Sequence, residues 1–135
     1  MITEHDLEAF GYWSHELPET NKTPMEMVKE YAKTSGQKPD ANLYAALIEE
    51  EFKEWFHEFI VYGTSDTNQL KELADLIYVC AQYAENMNWD IEQALRRVHR
   101  SNMSKLGEDG KPIYREDGKV LKGPNYQPPD LSDLV

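Results

Sequence analysis

Apolar residues recur at helical spacing along four stretches of the chain, each bounded by residues that start or stop helices. Thr23-Pro24 followed by MEMVKEYAKTSG reads as an N-cap, a first-turn proline and a helix ending at Gly36. Pro39-Asp40 opens a second helix that runs to about Tyr62 and stops at Gly63. TSDTNQ supplies the next cap, and a third helix continues to about Asn88; Asp90 caps a fourth that ends near Lys105, before Gly107. Beyond Gly107 the pattern breaks. EDGK occurs twice, at 108–111 and 116–119, and Asp-Gly pairs favour tight turns with positive φ, so a small hairpin or looping arm is expected. The final QPPDLSDLV is expected to be extended, because Pro128-Pro129 holds the preceding residue out of the helical region. The pattern therefore predicts an all-α bundle of four to five helices with a C-terminal irregular or hairpin arm. It forms a single domain over 1–135, with a helical core at about 24–106 and the arm at about 107–135.

The acids sit unevenly on these helices. At about 100° per residue, the second helix turns Ile48, Phe52, Trp55, Phe56 and Phe59 to one apolar face. Glu51 borders that face, with Glu54 about 60° and Glu50 about 100° from it, while Glu49 points about 160° away from Glu51 and reads as solvated. On the third helix the apolar face is Leu73, Leu76, Val79, Cys80 and Tyr83, and Glu72 falls in its middle. Asp75 lies about 60° round from Glu72. A carboxylate turned toward a core is costly unless protonated or paired, and no basic residue is expected on this face. A divalent cation held between the two helices by Glu51, Glu54, Glu72 and Asp75 removes the cost. Oxygen-only ligands select Mg²⁺ or Mn²⁺ over zinc.

Charge narrows the partners. The chain is formally -11, which disfavours nucleic acid, yet eight of its 14 Lys and Arg lie between Arg96 and Lys122. That span is net positive on an acidic body, a distribution suited to a small polyanion. The one cysteine, Cys80, lies in LIYVCAQYA and reads as a small core hydrophobe. The N-terminus shows no basic region followed by an apolar run, and no stretch reaches the roughly 20 apolar residues of a membrane span. A reducing cytoplasm is the expected location.

The residues that carry the acids also carry a family resemblance. EEFKE at 50–54 followed by ELAD at 72–75 fits the pattern EExxE, a gap, then ExxD, and Lys53 excludes a register beginning at Glu49. This pattern resembles the MazG-like all-α nucleoside triphosphate pyrophosphohydrolases, a superfamily that includes phosphoribosyl-ATP pyrophosphohydrolase. MVKEYAKTSG is similar to the first helix of such proteins, and SNMSKLGEDGKPIYREDGKVLKGPNYQPPDL to the tail of phage-encoded and related bacterial members, so the likeness covers about residues 24–131. The resemblance implies that Glu51, Glu54, Glu72 and Asp75 coordinate magnesium, with manganese able to substitute, and that Glu50 positions or deprotonates the attacking water. It further implies phosphate contacts from Asn102 and Lys105, to which Lys119 and Lys122 of the arm are added as candidates. Tyr12 and Trp13 are candidates for stacking on a base; Tyr31 and Tyr83 read instead as core or subunit contacts.

The activity so implied is hydrolysis of a (d)NTP to the monophosphate and pyrophosphate, in a nucleotide-pool role with a lean toward dGTP and purine deoxynucleotides. Phage-type membership would place it in a host cytoplasm. A homodimer or homotetramer is expected, since relatives assemble through long helices and a short helical hairpin buries too little alone; the arm is a candidate to cross to a neighbour. Phosphoribosyl-ATP hydrolysis is the alternative within the class, and a non-enzymatic nucleotide-binding adaptor the alternative outside it. A di-iron carboxylate bundle needs two Glu-x-x-His pairs, and only Glu54 to His57 fits.

Overall fold

A computed structural model describes residues 20–135. Its helices begin where side chains replace missing backbone acceptors. Helix α1 (Pro24–Ser35) starts with a capping box: Thr23 accepts from the Glu26 amide, and Glu26 accepts from the Thr23 amide at 2.7 Å. It ends on Gly36, whose φ of 62° is left-handed. Helix α2 (Ala41–Ile60) is capped by Asp40, α3 (Asp66–Asn86) by Ser65 and α4 (Ile91–Met103) by Asp90, each accepting from a first-turn amide.

α2 and α3 form the principal pairing, and α1 packs on α3. The hairpin is antiparallel, because the start of α2 meets the end of α3: the Asp40 amide donates to Asn86 Oδ1 at 3.1 Å. Asn86 Nδ2 donates in turn to the carbonyls of Gln37 and Lys38, so one side chain clamps the connection between α1 and α2. Beside it Tyr44, fully buried, stacks on Tyr83 at 5.6 Å. Val28, Val79, Ala81 and Ala84 complete a small buried core.

Much of the expected core face is not buried within one chain. Phe52, Phe56 and Phe59 are 47%, 45% and 59% exposed, and Ile60 extends their stripe. α3 proves to have two apolar faces. Leu76, Val79 and Tyr83 turn inward, whereas Leu70, Leu73, Ile77 and Cys80 lie exposed on another side. Cys80 is therefore a surface thiol rather than the core residue its neighbours implied.

α4 touches α3 only lightly. The C-terminal segment holds it. Arg97 pairs with Asp133 at 2.5 and 2.9 Å and donates to the Asp130 carbonyl at 2.8 Å. Ser101 Oγ donates to the Gln127 carbonyl, and the Asp90 amide to that of Leu134. The tail thus returns along its own helix. Between helix and tail, the two EDGK turns place Gly110 and Gly118 at φ of 75° and 86°, and a single antiparallel bridge joins Tyr114 to Val120. Gly123 fastens the arm to α4, its amide donating to the Lys105 carbonyl at 2.8 Å.

Candidate metal centre

α2 and α3 bring acids together because each helix turns one carboxylate inward among apolar neighbours. Carboxylate oxygens of Glu51, Glu72 and Asp75 all lie within 4.8 Å of one another. Opposite ligand oxygens stand roughly 4 Å apart around Mg²⁺ and roughly 5 Å apart around Ca²⁺, so the cluster is of a size to share one hard cation. The Glu72 side chain is 15% exposed and that of Asp75 42%. Glu51 Oε2 and Glu72 Oε2 are buried, with no hydrogen-bond partner among the described residues. Two orphaned oxygens on carboxylates of one cluster are what a cation would satisfy. The donor set fits.

One cation is already present, and the pattern of the inward face did not reveal it. Lys71 Nζ lies 3.1 Å from Glu72 and 2.9 Å from Asp75, and those hydrogen bonds hold its ammonium well above the ordinary lysine range. The expectation of no base beside Glu72 is therefore corrected. Lys71 is the chain neighbour of Glu72 and four residues before Asp75, spacing that a search of the inward face alone passes over. Its contacts take the outer oxygens and leave the buried ones unmatched.

The other predicted residues divide. Glu54 is exposed and stands outside the three-carboxylate group, although its charge is felt there. Glu50 is exposed next to Glu51, and Glu49 faces solvent paired with Lys53 at 2.5 Å. Lys105, Lys119 and Lys122 share a hollow of about 480 Å³ with Arg115, which is itself paired to Asp117. Lys122 sits over the Tyr126 ring at 4.6 Å. Asn102 is exposed on α4 and is not part of that hollow's lining. Tyr12 and Trp13 lie outside the described residues.

A cleft of about 410 Å³ adjoins the carboxylates. Glu51 and Asp75 line it together with Leu47 and Val79, and four further polar or aromatic side chains complete it: Tyr31, Gln37, Tyr78 and Gln82. No pattern in the sequence marks these four as a group.

Burial pushes the Glu51 carboxyl above the ordinary range, and the charges of Glu54, Asp75, Glu72 and Glu50 push it further the same way. A raised carboxyl favours folding while protonated. That contribution is present below the unfolded-state value, about 4.3, and is lost as pH rises through the folded value. Chelator-treated Glu51→Gln is therefore expected to melt higher than the wild type at about pH 7, with the gap closing as pH falls toward the ordinary carboxylate range. Thermal melts of both proteins check this; a gap that widens on acidification would contradict it.

Among the described residues, no helix is long and apolar enough to cross a membrane. Comparison with curated proteins gives no match. The family model of phosphoribosyl-ATP pyrophosphohydrolase matches residues 17–102, a span that includes the carboxylate cluster, the cleft and nearly all of the four helices. With an all-helical bundle and the acids of α2 and α3 brought together, the chain belongs to the phosphoribosyl-ATP pyrophosphohydrolase family of the MazG-like, all-α pyrophosphohydrolase superfamily.

Proposed function

We propose that the protein is a magnesium-dependent (d)NTP pyrophosphohydrolase, releasing (d)NMP and pyrophosphate, with a lean toward purine deoxynucleotides. The observation that carries this reading is the meeting of Glu51, Glu72 and Asp75 with two buried oxygens left unpartnered. Glu51, Glu72 and Asp75 would hold the cation, with Glu54 completing the set from the rim. When bound, Mg²⁺ or Mn²⁺ neutralises the charge that builds up on the phosphate oxygens during displacement.

The chain's own residues supply the rest. Glu50, exposed beside Glu51, orients a water toward the α-phosphorus and accepts its proton. Lys105, Lys119 and Lys122 converge on one hollow and offer cations to the departing phosphates, with Asn102 a further contact from α4. Incubation with the common NTPs and dNTPs, and with phosphoribosyl-ATP, under Mg²⁺ or Mn²⁺ tests the reading by chromatography of products. Monophosphate plus pyrophosphate from a nucleoside triphosphate is expected. Turnover of phosphoribosyl-ATP alone would select the activity in the family's name, and binding without turnover would make the protein an adaptor.

A second copy completes the fold in this reading. The stripes of Phe52, Phe56 and Phe59 on α2 and of Leu70, Leu73 and Ile77 on α3 leave large apolar side chains exposed at helical spacing, the kind of surface that marks an interaction site. A two-fold pairing of helical hairpins would cover them in a homodimer or homotetramer. Sedimentation is expected to give a dimer or tetramer for the wild type and a smaller species for Phe56→Glu.

A further inference from the structure

The cleft beside the carboxylates has no part in the proposed attack on the phosphates. Its lining is chemically divided: carboxylates from Glu51 and Asp75, rings from Tyr31 and Tyr78, amides from Gln37 and Gln82. Asp75, Val79 and Gln82 lie at i, i+4 and i+7 on α3, so they share one face. At 1.5 Å per residue, Gln82 stands about 10 Å along the helix from Asp75, a span comparable to the length of a nucleoside. Val79, 7% exposed, is the apolar floor between them. The Tyr31 and Tyr78 rings meet edge to face at 5.9 Å. The cleft volume of about 410 Å³ falls in the range of small-molecule sites.

The two amides are held in place. Gln82 is 8% exposed, and a buried amide is costly without partners. Gln37 Oε1 accepts from the Tyr44 hydroxyl at 2.6 Å and from Gln82 Nε2 at 3.3 Å. Both donors converge on that oxygen. The Gln37 NH₂ group and the Gln82 carbonyl oxygen therefore keep hydrogen-bonding capacity not used among the described residues. The Asn86 clamp on the Gln37 and Lys38 carbonyls fixes the backbone beneath. An amide donor and an amide acceptor thus stand beside two rings and the carboxylate end of the cleft, the kind of arrangement that preorganisation favours.

We propose that this cleft is the nucleoside subsite of the enzyme, in which Gln37 and Gln82 read the hydrogen-bonding edge of the base and Tyr31 and Tyr78 pack against its ring. The proposal rests on the hydrolase reading for the position of the phosphates. It assigns base selection to α1, α3 and the connection after α1, using residues within the described fold. An amide pair discriminates because the wrong base leaves its donor or acceptor without a partner in the cleft.

Two measurements on the full chain separate this inference from the activity it rests on. In the first, side-chain amide signals of Gln37 and Gln82 are followed by NMR while the common nucleoside monophosphates, and ribose 5-phosphate as a probe without a base, are added. At least one nucleotide is expected to shift both amides, and ribose 5-phosphate neither. In the second, kcat/KM is measured across the base panel for the wild type, Gln82→Met and Tyr31→Leu. The ratio between preferred and poorest base is expected to fall at least ~10-fold in Gln82→Met, chiefly through KM of the preferred substrate. Tyr31, 52% exposed, provides a second variant that does not disturb the core, and thermal melts verify that both fold. Unchanged base discrimination in either folded variant, or equal amide shifts with ribose 5-phosphate, would overturn the subsite while leaving hydrolysis intact. Amide shifts specific to nucleotides without turnover of any triphosphate would keep the subsite and overturn the hydrolase.

Discussion

Glu72→Gln is expected to lower turnover at saturating Mg²⁺ at least ~100-fold, the scale on which single electrostatic groups contribute to a preorganised site. Glu72 is the more enclosed of the two carboxylates that Lys71 contacts, at 15% exposure, and one of its oxygens has no partner among the described residues. The amide keeps the side chain's shape and removes its charge. Lys71 retains its contact with Asp75 at 2.9 Å, so the substitution does not strand the ammonium. Without metal, the variant should melt at or above the wild-type temperature, because like charges crowding Glu51 are relieved. This pairing of outcomes distinguishes a ligand from a structural carboxylate, whose loss would lower stability and activity together. Unchanged kcat at saturating Mg²⁺ would refute the ligand assignment.

Three adjacent glutamates should respond in three different ways. Their positions on α2 differ by about 100° each, and the structure gives each a distinct setting. Glu49 is paired with Lys53 in solvent, Glu50 is exposed and outside the cluster, and Glu51 lies within it. Glu51→Gln is expected to weaken Mn²⁺ binding and turnover together. Glu50→Gln should leave Mn²⁺ and substrate affinity nearly intact while kcat falls at least ~100-fold, as for a group used in the transition state. Glu49→Gln should change both by less than about twofold, in keeping with an exposed ion pair. Calorimetric Mn²⁺ titration and steady-state kinetics on the same three variants make the comparison. If Glu49→Gln is the most damaging of the three, the register assigned to α2 is wrong.

Local chemistry makes the helices legible in the sequence. Thr23, Asp40, Ser65 and Asp90 act as caps because a short polar side chain can reach the free amides of a first turn, and Gly36 ends α1 because it tolerates positive φ. The carboxylate cluster is legible for a related reason. Glu72 interrupts an apolar face, and a helical period places Glu51 at the edge of the facing one.

Nonlocal arrangements are not legible in the same way. Arg97 meets Asp133 and Ser101 meets Gln127 across 36 and 26 residues of chain, and no periodicity encodes such pairings. The amide pair of Gln37 and Gln82 is 45 residues apart and depends on Asn86 fixing the turn after α1. Glu54 illustrates the limit of angular reasoning. A rotation of about 60° from Glu51 moves its carboxylate from the cluster to its exposed rim. The apolar stripes of α2 and α3 mislead in the opposite direction, since periodicity marks a surface as buried without saying whether the cover is the same chain or another.

Hydrolysis in ¹⁸O-labelled water reports whether the acids of α2 and α3 direct water onto the α-phosphorus of a nucleoside triphosphate. Mass spectrometry of the products from the preferred substrate, with Mg²⁺ present, reports which phosphorus was attacked. One ¹⁸O in the nucleoside monophosphate and none in the pyrophosphate is the expected result. Label in pyrophosphate, or labelled orthophosphate released with a nucleoside diphosphate, would contradict it.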